Sequence, residues 1–428
     1  MADDDELEGI HRGWGRRLLS TGKIAASAAR LAARRVVGAE GPQDAAIGET
    51  LSRELDQMKG MAMKVGQILS YFDGVLPEGT HRALQSLQRG ARAVSFTRMA
   101  EVIEAAFGEP VDALFDRFER EPIAAASIGQ VYRARYRGRE VVVKVQYPGI
   151  RETIAGDFSR LQGLAKIASL ASSVDGPALV EELRARFIEE CDYQLEGDHQ
   201  NTFRAAFADD PQVEIPAAIG QRTRETVLTS EFCEGRDFYT FAAEASQARR
   251  DEVALCLTRF ALRSLYELGM VNADPHPGNY LFPARDAVVF LDYGCVRRFD
   301  AEFLAAQRRL TRIVIEDRRA DYDDALVAAG MVAKEKGFDF DLQWKVDCHL
   351  LAPYRTPRFH FTPEYVRAAM DLNRPGNPNL RRIAIPPQWI WVQRLQFGLH
   401  AVLTRLSAEG RFADAMHEAL AMPRRPAA

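Results

Sequence analysis

The sequence predicts an α+β fold, in which a short β-rich part precedes a longer helical part. Three observations carry this. Apolar spacing before Pro122 is helical, at steps of three and four; after Pro122 it switches to the alternation of strands; and beyond Gly235 it is mostly helical again, interrupted by one short hairpin at Asn279 to Leu291. At a prior of about 150 residues per domain, 428 residues make two or three domains.

The first element is an arm. Between Arg12 and Arg35 there are seven basic residues and no acidic one, interleaved with Trp14, Leu18, Leu19, Ile24 and Leu31. One reading is peripheral contact with an anionic membrane surface; the other is a solvated arm packed on its own domain. A long helix follows. Leu51, Leu55, Met58, Ala62, Val65, Leu69 and Phe72 line one apolar face, with Lys64 and Gln67 beside it and Gly60 and Gly66 allowing close backbone approach. Taken alone, Lys64 reads as a snorkelling surface lysine. A second helical segment runs from about Pro77 to Gln88.

Strands come next. Val131 to Tyr136 alternates, Gly138 supplies a turn, and Val141-Val142-Val143-Lys144-Val145 is a β-branched run, so a hairpin is expected. Helices are expected over Arg151 to Ala171 and Ala178 to about Phe207, and a pair of strands over Val213 to Ile219 and Thr226 to Phe232. The last 120 or so residues show helix punctuation and no catalytic signature.

Composition excludes several functions. Apolar residues are 47% and charged residues 27%, which is ordinary globular usage. With 56 basic against 60 acidic residues the net charge is −4, so no nucleic-acid partner is expected. Five scattered cysteines without a CxxC point to a reducing compartment and no structural zinc. No uncharged apolar run approaches the roughly 18 residues of a membrane span, and the acidic opening at Asp3 to Glu8 does not resemble a signal peptide. A cytoplasmic location is expected, peripheral at a membrane surface if the arm binds one, and not transmembrane.

The chemistry concentrates at Asn272-Ala273-Asp274-Pro275-His276-Pro277-Gly278-Asn279 and Leu291-Asp292-Tyr293-Gly294, the two ends of one hairpin. Asp274 and Asn279 match the D-x-x-x-x-N of a kinase catalytic loop, in which the Asp faces the acceptor and the Asn holds magnesium; Asp292 stands where the DFG aspartate would. Asparagine and aspartate offer the hard oxygens that Mg2+ prefers. His276 reads as a structural hydrogen-bonding group. Upstream, Val141-Val142-Val143-Lys144 resembles the V-A-I-K lysine that grips phosphates. Glu196 is a plausible partner for it, and Glu231-Phe232-Cys233 is where an adenine-binding hinge would expose backbone groups. Glycines are missing from the phosphate loop: Ala124-Ala125-Ala126-Ser127-Ile128-Gly129 stands where G-x-G-x-x-G would.

Together these residues resemble the ABC1 family, also called UbiB or AarF, of atypical kinase-like proteins, which includes the Coq8 proteins of coenzyme Q biosynthesis. The resemblance rests on Lys64-Val65-Gly66-Gln67 (KxGQ), the loop Ala124 to Ser127, Lys144, Glu190-Cys191-Asp192 (ExD), Glu196, Asp274 with Asn279, and Asp292, from about Gly48 to Val296. It implies a bilobal protein-kinase-like fold with an arm (1–47), a KxGQ helical extension (48–110), an N-lobe (111–235) and a C-lobe (236–428). ATP or ADP with Mg2+ is the implied cofactor. Asp274, Lys144 and Glu196 would be catalytic, Asn279 and Asp292 would bind metal, and Ala124, Ala125, Ala126, Ser127, Lys144, Glu231 and Cys233 would bind nucleotide. Lys64, Gly66, Gln67, Glu190 and Asp192 would be regulatory, with Lys64 meeting the ExD acids over the acceptor side. ATP hydrolysis or phosphoryl transfer to a small-molecule or lipid-like acceptor, supporting quinone or isoprenoid lipid metabolism, is the implied activity. A protein kinase and a nucleotide-gated binding module or chaperone are the alternatives. The chain departs from the family at Asn272, at Tyr293 of its DYG, and in having no transmembrane helices of the kind many bacterial relatives carry.

Overall fold

Arg137 and Gly138 both adopt positive φ, 49° and 74°, which is the two-residue turn whose twist matches the strands it joins. It closes the expected hairpin, whose strands β2 (Gly129–Tyr136) and β3 (Arg139–Gln146) are neighbours in one sheet. The computed structural model describes residues 94–126, 128–153, 155–156, 158, 181, 184–185, 188–372 and 377–425. The basic arm, the KxGQ residues Lys64, Gly66 and Gln67, and Ser127 lie outside them. Two units divide the described chain: one holds the residues through Gly138, 142–192 and 224–227, the other 139–141, 193–223 and 228 onward.

In the first unit, helix α1 (Phe96–Phe107) buries Met99 and Ile103, four residues apart, and ends at Gly108 in the left-handed region. A single turn, α2 (Val111–Leu114), leads to β1 (Arg117–Ala126). Phe96, Phe118 and Tyr132 form a ring cluster with centroids 5.4–5.9 Å apart. Strand β1 pairs antiparallel with β2, with register irregularities on both sides of Pro122, which has no N–H to donate. Ala124, Ala125 and Ala126 face Val131, Gln130 and Gly129 in that ladder. The alanine run is therefore the end of a strand and not a loop, because three small residues with ordinary strand backbone pair as readily as any others. Along β3 Val143 and Val145 are buried, while Lys144 alternates with them onto the opposite face.

The helix expected from Ala178 to Phe207 is broken. Residues 188–190 are helical, the chain turns at Cys191–Asp192, and α3 (Tyr193–Ala206) starts afresh. The break has a cause: Gln146 donates its side-chain amide to the Cys191 carbonyl at 2.8 Å, an acceptor that a continuous helix would use internally.

In the second unit, the expected Val213 to Ile219 strand shrinks to β4 (Val213–Glu214), which pairs parallel with β8 (Val288–Phe290); Ala218 then bridges Ser230 of β5 (Val227–Glu231). Asp237 and Ser246 accept backbone N–H bonds and so start α4 (Phe238–Glu244) and α5 (Gln247–Arg263). A π-turn at Ser264–Leu268 ends α5 and feeds β6 (Met270–Asn272). The expected hairpin is β7 (Tyr280–Leu281) against β8. Sequence patterning missed β9 (Val296–Arg298), which pairs antiparallel with β6. The helical remainder comprises α6 (Ala301–Ile315), α7 (Arg319–Ala328), α8 (Phe340–Leu350), α9 (Ala352–Arg355), α10 (Pro363–Leu372), α11 (Pro387–Arg405) and α12 (Phe412–Ala421), with a two-residue ribbon, β10 (Phe359–His360) and β11 (Glu409–Gly410), between the later helices. Among the described residues, no helix is long and apolar enough to cross a membrane.

Candidate active site

Pairing of β6 with β9 sets Asn272 opposite Val296, and the Ala273 N–H donates to the Cys295 carbonyl. Two loops thus run abreast, one leaving β6 through Asp274 to Asn279 and the other entering β9 through Asp292 to Gly294. Asn272 staples them. Its Nδ2 donates to the Asp292 carbonyl and its Oδ1 accepts from the Asp274 N–H at 3.2 Å. The residue that stood out in the sequence only as a departure is thus a bridge between the two motifs.

Within the first loop the Asn279 amide donates to the Asp274 carbonyl at 2.9 Å and to its Oδ2 at 3.3 Å. Both partners are acceptors, which assigns the NH2 to that side and turns Oδ1 the other way. His276 accepts from the Gly278 N–H through Nδ1 at 3.0 Å, the structural role expected of it. The Leu291 N–H donates to the Asn279 carbonyl, so β7 and β8 bring the hairpin's two ends together. Asp292 accepts from the Gly294 N–H at 3.0 Å. Asn272, Asn279 and Asp292 line one cavity with Pro275, Leu395 and Leu399. Glu196 is 4% exposed, and its carboxylate borders the same turn: a Cβ built on Gly294 would stand 3.4 Å from both Glu196 Oε2 and Asp292 Oδ1.

Tyr293 is fully buried against Phe203, with ring centroids 5.1 Å apart. Burial holds its phenol well above the usual range, and the hydroxyl has no hydrogen-bond partner among the described residues. Leaving such a group unpaired costs about 1–3 kcal/mol. Tyr293→Phe, which turns DYG into DFG, is therefore expected to stabilise the protein by about 1 kcal/mol in urea unfolding; a variant less stable than wild type would show that the hydroxyl has a partner. His199, two turns before the end of α3, hydrogen-bonds the Tyr293 backbone, and burial together with Arg298 pushes its pKa down.

In the segment expected to serve as an adenine hinge, the N–H groups of Glu231 and Phe232 donate to the carbonyls of Ala217 and Glu140. The Glu231 side chain accepts from the Ala217 N–H. The Cys233 thiol, pushed up to about 11 by burial, turns toward Glu214.

In the first unit, Lys144 is half-buried on the face of β3 that also carries Gln146. Gln146 donates to the carbonyls of Cys191 and Glu225, fixing the turn that carries Glu190 and Asp192. Its strand-face relation to Lys144 was the available signal for it. For Arg394 there was none. It sits on α11, 120 residues from Asp274, and donates to Asp274 Oδ1 at 2.9 Å.

Comparison with known proteins bears on the family and the fold. The yeast Saccharomyces cerevisiae atypical kinase COQ8, mitochondrial, is 30% identical over 280 residues, 64% of this chain and 56% of that one. The rat atypical kinase COQ8B, mitochondrial, is 32% identical over 259 residues, 60% of this chain and 49% of that one. The chain spans about half the length of these curated relatives. Among solved structures, that of Rv3197 in complex with erythromycin, from Mycobacterium tuberculosis, superposes with a TM-score of 0.65 at 25% identity, covering 86% of this chain and 95% of that one. The fold is kinase-like and α+β. A model of the ABC1 atypical kinase-like domain matches residues 86–325, more than half of the chain, and the chain belongs to that family.

Proposed function

We propose that the protein binds an adenine nucleotide with magnesium and uses it for ATP hydrolysis or for phosphoryl transfer to a small or lipid-like acceptor, in support of quinone or isoprenoid lipid metabolism. The observation that carries this reading is the stapled pair of loops, in which Asn272 and Asn279 fix Asp274 beside the segment that holds Asp292. The donor set suits magnesium: Asn279 turns an amide oxygen away from Asp274, and Asp292 adds a carboxylate held by Gly294, both hard ligands. When bound, the metal would neutralise charge on the phosphate oxygens.

The chain's own residues supply the rest. Lys144 would hold the nucleotide phosphates as a fixed cation from β3, with Glu196 as its charge partner. Asp274 would orient the acceptor and take its proton on a carboxylate oxygen as the new P–O bond forms and the bond to the nucleoside diphosphate breaks. The similarity to the COQ8 atypical kinases supports the quinone setting, since the Coq8 proteins belong to coenzyme Q biosynthesis. A nucleotide-gated binding module is the second reading; the mycobacterial structure, solved with erythromycin, shows only that that protein holds a small molecule.

Asp274→Asn tests the proposal. An acceptor-facing base acts on the transition state and not on nucleotide affinity, so ATP turnover should fall about 100-fold or more while the Kd for magnesium–ADP stays within about twofold. An equal loss of binding would make Asp274 a metal ligand or a fold element. Wild-type ATPase indistinguishable from background, with and without anionic vesicles, would favour the binding module.

A further inference from the structure

Helix α11 lies beyond residues 86–325, the stretch matched by the family model, yet its middle turns are built into the candidate site. Gly398 faces Pro275 of the catalytic loop so closely that a Cβ there would stand 2.5 Å from the proline Cγ. No side chain fits between the helix and the loop. Leu395 and Leu399 complete the contact by lining the cavity shared with Pro275, Asn279 and Asp292. One turn before Gly398, Arg394 reaches Asp274 Oδ1 at 2.9 Å. One turn earlier still, the Trp391 ring lies 5.7 Å from the Arg394 guanidinium and 4.4 Å from that of Arg297, on β9.

We propose that Arg394 is a positioning residue for Asp274, which makes α11 an integral part of the active centre. This rests on the reading of Asp274 as the acceptor-facing base. The terminal torsion of an aspartate is broad. On the Oδ2 side the carboxylate has Asn279 at 3.3 Å, a long bond, whereas on the Oδ1 side it has a charge-assisted bond from a cation that does not deprotonate in proteins. Of these two contacts the one from Arg394 is the shorter and stronger, and it holds the rotamer. Arg394 can do this because it is itself braced: Trp391 packs against its guanidinium, and the Gly398–Pro275 contact fixes the spacing of helix and loop. With the rotamer fixed, the oxygen that takes the acceptor proton stays where the acceptor meets it, and a misplacement of about 1 Å costs about 100-fold in rate.

The test uses the full chain with Arg394→Gln, Arg394→Lys, Asp274→Asn and the Arg394→Gln/Asp274→Asn double variant. Arg394→Gln should lower ATP turnover about 10- to 100-fold with the magnesium–ADP Kd within about twofold, and Arg394→Lys should restore part of the loss. In the Asp274→Asn background most of the Arg394→Gln loss should disappear, because the proposed effect runs through that carboxylate. Unchanged turnover in Arg394→Gln, or the same fold-loss persisting in the double variant, overturns the proposal. Wild-type turnover in Asp274→Asn alone would instead sink the reading of Asp274 as base. A crystal structure of Arg394→Gln gives an arm independent of turnover: the Asp274 carboxylate should rotate away from its wild-type position, and an unmoved carboxylate overturns the assignment.

Discussion

Asp292→Asn is expected to abolish magnesium-dependent nucleotide binding in a protein that still folds. The substitution is nearly isosteric. An asparagine Oδ1 can still accept from the Gly294 N–H, and the bond from Asn272 goes to the residue 292 carbonyl, which the change does not touch. What disappears is the charge. Magnesium in a nucleotide site relies on one or two carboxylates to offset the cost of shedding water, and an amide does not supply that. Ligand binding stabilises by about 2.7 kcal/mol at a ligand concentration of 100 times the Kd, so wild type should show a clear upward thermal shift with magnesium–ADP. In Asp292→Asn that shift should vanish. Full stabilisation of the variant by magnesium–ADP would remove Asp292 from the metal site.

The parts of this protein that were legible in its sequence are those with local causes. The β2–β3 hairpin followed from alternation and Gly138, and β7–β8 from its flanking motifs. Asp274, Asn279 and Asp292 declared themselves because their spacing is fixed within one hairpin. What escaped has long-range causes. The break at Cys191 depends on Gln146, 45 residues earlier, taking its carbonyl. Strand β9 exists because Val296 to Arg298 finds β6, and three residues carry too little periodicity to be noticed. Arg394 carries no motif, and only tertiary packing brings it to Asp274. The alanine run misled for a different reason. It stands where a glycine-rich loop would, but its residues pair as an ordinary strand.

Gly129, just past that alanine run, should be the most sensitive glycine among the described residues of the first unit. It opens β2 opposite Ala126, and a Cβ built on it would lie 2.1 Å from the Val145 carbonyl oxygen and 2.9 Å from the carbonyl carbon. Both are backbone atoms, so no rotamer change relieves the overlap. Its own φ is not in the left-handed region, and the demand for glycine is therefore one of space. Gly129→Ala must push the β1–β2 tip off β3 or displace β3 itself. Either route disturbs Lys144 and Gln146, the neighbours of Val145, and with Gln146 the anchor of the ExD turn. Gly138→Ala is the contrasting change: nothing lies within 4 Å of its Cβ, and its penalty is the positive φ alone, about 1–2 kcal/mol. Overpacking costs about 1–3 kcal/mol and occasionally more, and a clash with backbone that no rotamer relieves belongs at the upper end. In urea unfolding Gly129→Ala should thus lose distinctly more stability than Gly138→Ala, and it should also weaken magnesium–ADP binding, which Gly138→Ala should spare. A Gly129→Ala protein within about 1 kcal/mol of wild type and with undiminished nucleotide affinity would mean that β2 and β3 can separate at that end without moving Lys144.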